Sequence, residues 1–525
     1  MVEARESSAF ADYAVVKPVA TGRRGVVAAQ NRKAAAVGIA VLEAGGNAFD
    51  ATIAVALALG AAEPWMSGPG GIGCALLREA GTGGLHALDF GAIAPRRLDP
   101  ADYPLSGRPA GDLFPWPGVV EDRNIEGPLS IAVPGQLDGL RLLHERFASM
   151  PWRELVTPAR DLAREGLEID WWAALMVTAH AEELRRFATT AAIWLPRGLP
   201  PRPDPAGGTR FLELGRFADT LEAIAREGPR SLYEGEIADA LLADLGGFGA
   251  RLAADDLRDY RARLLEPLAV RRGSGRFWAM PGPFAGATFA RCLELLADLP
   301  VASGPPDAAF FAGLAGALRR AYAERLGEGG DPACTSHFCV IDRHGNAVAW
   351  TQTLLSVFGS RLVLPRTGLI LNNGIYWFDP RPGRANSLAP GRRPLSNMCP
   401  ILGEGGAGRF ALGASGGRRI LPAVLQLALF LSERRLSLEE AFHQPRIDVS
   451  GPDRVTADPR LGEEILRALA SHPLTLRPPR HFPLAYACPS AALEVSDSGP
   501  RLAVAEPWQP WAGGLAEPHP EGKPE

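Results

Sequence analysis

The chain has 525 residues, long enough for about three domains of ordinary size or for one large α/β fold. Hydrophobic residues make up 46% and charged residues 22%, which excludes a disordered chain. Lys+Arg 55 against Asp+Glu 59 leaves a net charge of −4, without the basic excess of a nucleic-acid binder. Gly 59 and Pro 47 exceed the usual share of roughly 12% and follow no collagen period, so they predict many turns, tight backbone approaches and long loops.

Residues 1–24 read as an irregular arm. Two alanine-rich helices are predicted over 31–44 and Ala48–Ala62, parted by Gly45-Gly46. The second carries the longest apolar run, far short of the ~20 residues of a membrane helix, and reads as a buried core helix. A glycine-dense loop, Ser67-Gly-Pro-Gly-Gly-Ile-Gly73, comes next, then strands over 74–78 and 85–90. Residues 100–130 read as a long loop, and 137–147, Trp152–Glu165 and 171–187 as helices. The five prolines of 195–208 exclude a regular element. Phe217, Leu221, Ile224 and Ala225 have helical spacing, and 237–245, 287–299 and Ala308–Leu326 are further helices. Ser336–Ile341 and 347–354 form a hairpin around Asp342-Arg-His-Gly-Asn346, and 362–364 with 369–371 could form a second. Strand 410–412 precedes a turn, Gly413-Ala-Ser-Gly-Gly417, and the helix Ile420–Ser432. A short helical region begins at Glu439, and the tail beyond Leu515 should fray.

Cys74, Cys292, Cys334, Cys339, Cys399 and Cys488 show no CxxC spacing, and the nine histidines form no ligand cluster. No metal site is expected, and scattered reduced thiols point to the cytoplasm. The first residues lack the pattern of a secretory signal. There is no GxSxG elbow, Walker loop or HExxH, and the Ser67–Gly73 string is not a GxGxxG fingerprint.

Thr335 opens a strand on which Ser336, Phe338 and Val340 share one face and His337, Cys339 and Ile341 the other. Gly416-Gly417 lies just before a helix and can offer free backbone N–H groups to an anion. A hydroxyl nucleophile with such donors is the minimum equipment for acyl transfer. On the residues alone, an ordinary glycine turn and a surface threonine remain the simpler account.

Several ordered motifs add to this. Leu42-Glu-Ala-Gly-Gly-Asn-Ala-Phe-Asp-Ala51, Glu63-Pro64 and Ser67-Gly-x-Gly-Gly71 stand near the start; Val133-Pro-Gly135 and Leu232-Tyr-Glu-Gly235 follow. Thr335-Ser-His-Phe-x-Val-x-Asp-x-x-Gly-Asn-Ala-Val348, Arg393-Pro-Leu-Ser-Asn-Met-x-Pro400 and Gly413-x-x-Gly-Gly417 complete the series. Over about 400 residues the chain resembles the gamma-glutamyltransferase family of N-terminal nucleophile hydrolases. The resemblance implies a four-layer αββα sandwich and a precursor cut between Cys334 and Thr335, giving a large-subunit region 1–334 and a small-subunit region 335–525. Thr335 would be nucleophile through its hydroxyl and base through its new α-amine, Thr353 would support it, and Gly416 and Gly417 would form the oxyanion hole.

The departures concern substrate. Where the family has a carboxylate-binding Arg, Asp89-Phe-Gly-Ala-Ile-Ala-Pro95 has Gly91. Where it has an amine-binding Asp, Asn372-Asn-Gly-Ile-Tyr-Trp-Phe378 has Trp377. An expected Asn is Leu355, and of the Ser-Ser pair Ser396 remains while the second is Asn397. Without the guanidinium and the ammonium partner, a glutamyl head group is poorly matched. The expectation is an amidohydrolase or acyltransferase acting on another acyl group of a small-molecule amide, similar to the acylase and amidohydrolase branch. No cofactor, nucleic acid or membrane is expected, and the two subunits could assemble into a higher homo-oligomer. Gly330-Asp-Pro-Ala-Cys334 runs straight into Thr335, so the cut could be slow. An inactive binding protein, or a true transferase with altered glutamate contacts, are the competing readings. His337 reads more simply as a packed strand residue than as a catalytic one, and Arg418 and Arg419 could bind an anionic acyl tail or pair with carboxylates in the core.

Overall fold

In the computed structural model the described residues are 15–109, 114, 116–326, 335–450, 454–478 and 486–518. Two seven-stranded, wholly antiparallel sheets face one another. Sheet I has the order Gly513–Ala516, Val26–Ala29, Ser336–Ile341, Ala347–Thr353, Ile72–Glu79, Gly84–Phe90, Arg263–Leu265. Sheet II runs Ala20–Gly22, Arg501–Ala505, Cys488–Glu494, Gly408–Ser415, Ile401–Gly405, Gly275–Ala279, Leu268–Arg272. Helices Arg32–Glu43, Ala48–Ala62, Gln136–Phe147, Trp152–Glu165 and Phe217–Glu227 cover the outer face of sheet I. Gly286–Leu295, Ala308–Leu326 and Ile420–Ser432 cover sheet II. A third apolar cluster fills the space between the sheets. This is the four-layer αββα sandwich expected from the sequence.

The apolar run becomes the helix Ala48–Ala62, buried on nearly every face, as a helix hydrophobic all round must be. Asn47 caps it: its Oδ1 accepts from the Phe49 and Asp50 amides, and Asp50 accepts in turn from the Asn47 N–H at 2.8 Å.

Several boundaries differ from expectation. The arm contributes the edge strand Ala20–Gly22, paired with Arg501–Ala503. The tail is anchored as far as Glu517: Gly513–Ala516 pairs with Val26–Ala29, and the buried Glu517 carboxylate meets the Arg24 guanidinium at 2.7 Å and the Gly25 N–H at 3.0 Å; residues 519–525 lie outside the described residues. The helix expected over 171–187 ends at Ala179, where Thr178 Oγ1 donates to the Ala174 carbonyl and a His180 ring nitrogen reaches the Met176 carbonyl. Such side-chain competition for carbonyls weakens a helix. The second hairpin is reduced to a single bridge, Val363↔Ile370. The turn assigned to Gly413–Ser415 is strand, extending Gly408–Ser415. Its Gly413 is required because a β-carbon there would lie 2.3 Å from the His337 ring.

The hairpin Ser336–Ile341/Ala347–Thr353 is the centre of sheet I, and a buried aspartate in its turn ties it to the first helices. Asp342 Oδ1 accepts from the His344 and Asn346 amides at 2.8 and 3.0 Å, and Oδ2 from Asn346 Nδ2 at 2.7 Å and the Ala48 N–H at 2.9 Å. Asp342→Ala strands these donors and is expected to cost about 3 kcal/mol in the denaturant midpoint. Asp342→Asn keeps one acceptor and should lose less; equal losses below about 1 kcal/mol would contradict this role.

Candidate active site

Register locates the site. Ser336 pairs with Gln352, so one residue further Thr335 stands opposite Thr353. Cys339 and Ile341 pack between the sheets and Phe338 and Val340 under the helices. The two-residue period of a strand therefore sends Thr335 and His337 into the intersheet layer. Thr335 is 3% exposed and Thr353 fully buried.

Sheet II brings the glycine pair to the same end. Arg78 bridges the hairpin turn to Glu494, donating to the Gly345 carbonyl at 2.9 Å and to the Glu494 carboxylate at 3.0 Å. Further along, Ser490 Oγ donates to the His337 carbonyl. Continuing in that direction, Cys488 and its partner Ser415, and then Gly416, reach the level of Thr335. Gly416 has φ +126° and Gly417 +62°, and a β-carbon on Gly416 would lie 2.9 Å from Ala487 Cα; only glycine fits there. Among the described residues neither amide donates to a loop or turn carbonyl. Both N–H groups stand at the entrance to the helix Ile420–Ser432, where the dipole adds to their attraction for an oxyanion.

The glycine loop before Ile72–Glu79 is scaffold. A β-carbon on Gly71 would lie 2.8 Å from the Thr353 carbonyl oxygen, and one on Gly73 2.2 Å from that of Thr351. Beneath it, buried Gln352 donates to Ser67 Oγ and to the Ala56 carbonyl, both at 2.9 Å, and accepts from Trp350 Nε1. The Ser67 and Ser336 hydroxyls are 3.2 Å apart. Ser336, the neighbour of Thr335, is thus held from the helix side.

After Thr353 the backbone is strained. Leu355, buried and non-glycine, has φ +86°, a conformation that costs of order 1–3 kcal/mol. It places the Leu355 N–H 2.8 Å from Thr353 Oγ1, so the Thr353 hydroxyl has its own proton to offer elsewhere. Asn373 fixes this loop: its N–H donates to the Leu354 carbonyl, its Oδ1 accepts from the Ser356 N–H at 2.9 Å, and its Nδ2 donates to Ser356 Oγ at 2.8 Å. The 3-10 turn Gly374–Trp377 follows. Asn386 Nδ2 donates to the Trp377 carbonyl at 2.7 Å while its Oδ1 accepts from the Leu395 N–H at 3.0 Å, joining Trp377 to Leu395, the neighbour of Ser396. Arg325 donates to the Ser396 carbonyl at 2.8 Å. Leu355, Tyr376, Trp377, Phe284 and Phe114 belong to one apolar cluster, and the Arg418 guanidinium lies 6.0 Å from the Phe114 ring. Asn397, beside Ser396, is half-buried; Cys334 lies outside the described residues.

Gly91 sits in tight surroundings. A β-carbon there would lie 3.1 Å from Asp89 Oδ1 and 3.2 Å from Phe284 Cζ. The Asp89 carboxylate also accepts from Arg393 Nη1 at 3.0 Å, so an ion pair and an aromatic ring occupy the space. Arg393, Asn373 and Arg325 lie in segments visible in the sequence, though their contacts were not; Asn386 and Phe284 gave no signal, because their contacts span distant segments.

His337 is fully buried, its Nδ1 2.9 Å from Thr351 Oγ1 and its Nε2 3.2 Å from Cys339 Sγ. Both ring nitrogens are occupied by packing partners, which supports a structural residue. Burial pushes its pKa down to about 3. The unfolded chain therefore binds one more proton between about pH 6.5 and 3, so the stability present above 6.5 is lost as pH falls. By pH 5 this amounts to about 2 kcal/mol. His337→Gln should flatten the acid limb of stability against pH; a limb as steep as in the wild type would contradict the assignment.

The comparisons agree with this geometry. The Gamma-glutamyltranspeptidase family model matches residues 34–334 and 326–482. The Acylase ACY 1 proenzyme of Pseudomonas sp. (strain V22) is 34% identical over 84% of this chain and 85% of its own length. Glutathione hydrolase 2 of Arabidopsis thaliana is 30% identical over 77% of each. The crystal structure of cephalosporin acylase from Bacillus halodurans superposes with a TM-score of 0.82 at 22% identity, over 98% of this chain and all of the other, which shows the fold. With these matches along its length, the chain belongs to the gamma-glutamyltranspeptidase family.

Proposed function

We propose that the chain is a self-cleaving amidohydrolase in which Thr335 is the amino-terminal nucleophile and the acyl group is not glutamyl. Cleavage before Thr335 would divide it into a large-subunit region 1–334 and a small-subunit region 335–525. The freed α-amine, with an ordinary pKa of about 7.7–8.0, can act as a base near neutral pH. It takes the Thr335 hydroxyl proton as Oγ1 attacks the amide carbon. The Gly416 and Gly417 N–H groups receive the oxyanion, and the ammonium protonates the departing nitrogen. Water then releases the acyl group from its Thr335 ester. Thr353, whose Oγ1 already accepts from the Leu355 N–H, directs its own proton to the nucleophile.

The observation that carries the choice of acyl group is Gly91 itself, which brings no side chain to this part of the site. Phe284 and the Asp89–Arg393 pair line that space, the Arg393 guanidinium being engaged by Asp89, and Trp377 and Leu355 add apolar wall. The acylase relatives support this reading. The thiols of Cys74, Cys292, Cys339, Cys399 and Cys488 are all buried and unpaired, in keeping with a reducing, cytoplasmic setting.

A chromatographic screen of N-acyl amides should find a substrate turned over faster than a γ-glutamyl anilide, and Thr335→Ala should lower that turnover by at least about a thousandfold. A γ-glutamyl anilide as the best substrate would contradict the acyl assignment, and an unimpaired Thr335→Ala variant would contradict the nucleophile.

A further inference from the structure

Gln30 directly follows the strand Val26–Ala29. Val26 and Ala28 pack between the sheets, Val27 and Ala29 under the helices, so the period of two sends Gln30 into the intersheet layer. Ala29 pairs with Phe338; one residue on, Gln30 stands across from His337, and Thr335 is the next residue of that face toward the site. Cross-strand diagonals of roughly 7–8 Å are within reach of a long side chain.

Gln30 is 2% exposed, and its Oε1 is buried without a hydrogen-bond partner among the described residues. Folded proteins retain few such groups. This one borders the residue whose backbone nitrogen would change from a peptide N–H to an amine. We propose that Gln30 is a positioning residue for the nucleophile: its Oε1 accepts a hydrogen bond from the α-amine that cleavage creates on Thr335. The inference rests on the reading of Thr335 as the amino-terminal nucleophile. An acceptor holding one N–H turns the nitrogen lone pair toward Oγ1, where it must act, and holds the ammonium between proton transfers.

The other titratable groups around this end are known. His337 and Cys339 share the Thr335 strand; burial keeps the imidazole neutral and pushes the thiol up. Across from them burial also raises the Cys488 thiol. Burial lowers Lys17 to about 8, and its Nζ donates to the Gln509 and Ala512 carbonyls. Glu506 pairs with Arg446. Glu63, at the end of the helix Ala48–Ala62, is raised to about 8 by burial and then by Asp170. Arg418 and Arg419 follow the glycine pair, and Arg32 lies two residues beyond Gln30. These groups are the same in the wild type and in Gln30 variants.

The test is the acid limb of kcat/KM in cut enzyme, which reports the free α-amine. Gln30→Glu places a negative charge beside the ammonium and should move the limb up by about one pH unit. Gln30→Met removes the acceptor and should move it down, with kcat falling about tenfold and KM nearly unchanged. Opposite displacements support the proposal; limbs left in place, or moved the same way by both substitutions, overturn it. If Gln30→Glu does not fold, the Gln30→Met limb and kcat decide alone. A wild-type chain that stays whole defeats the nucleophile reading itself, and with it this one, before any limb is measured.

Discussion

The register of one antiparallel hairpin governs everything at the site. Ser336–Ile341 and Ala347–Thr353 pair residue for residue, and that pairing alone puts Thr335 beside Thr353. A slip of one residue would turn Thr335 to the helix side and Ser336 inward. The chain guards the register from several directions. Asp342 closes the turn and docks it on the helix Ala48–Ala62. Gln352 and Ser67 grip the other end from the helix side. His337 fills the hollow above Gly413, which fixes how closely the second sheet approaches. Gly71 before Ile72 and Gly73 just after it matter for the same reason: they let a third strand press against the carbonyls of Thr353 and Thr351.

On that frame the groups proposed for the chemistry and those proposed for acyl recognition are held by different devices. Thr335 and the glycine pair come from the centres of the two sheets, where the backbone is least free to move. Leu355, Trp377 and Ser396 come from loops, and side-chain amides join those loops: Asn373 couples the strained turn after Thr353 to Gly374–Trp377, and Asn386 couples Trp377 to Leu395. A family can therefore change its acyl preference by altering loop residues while the hairpin remains unchanged. Gly91, Trp377 and Leu355 are the positions where the sequence departs from the family motifs, and Arg393 beside Gly91 is ion-paired with Asp89.

Much of this was legible in the sequence. The hairpin, the all-apolar helix and the helix Ile420–Ser432 follow from periodicity and turn chemistry, and the positions of Thr335, Thr353, Gly416 and Gly417 from ordered motifs. The strands that escaped notice share a physical cause. Cys488–Glu494 is built from small residues because it is buried on both faces, so it lacks the β-branched alternation that marks a half-buried strand. Leu268–Arg272 and Gly275–Ala279 are short and separated by glycine. Gly413 read as a turn because its partner, the His337 ring, is 76 residues away in the chain and unseen until the sheets are stacked. Still longer separations hid the approach of Phe284 and Arg393 to Gly91 and left Gln30 without any mark in the sequence.

The central claim is that a peptide bond inside this chain opens to make the nucleophile, and an intact-mass spectrum of purified protein tests it most directly. The account predicts two polypeptides, the smaller beginning at Thr335, and a single unbroken species for Thr335→Ala. A wild-type protein that remains one chain of 525 residues while turning over an amide would contradict it.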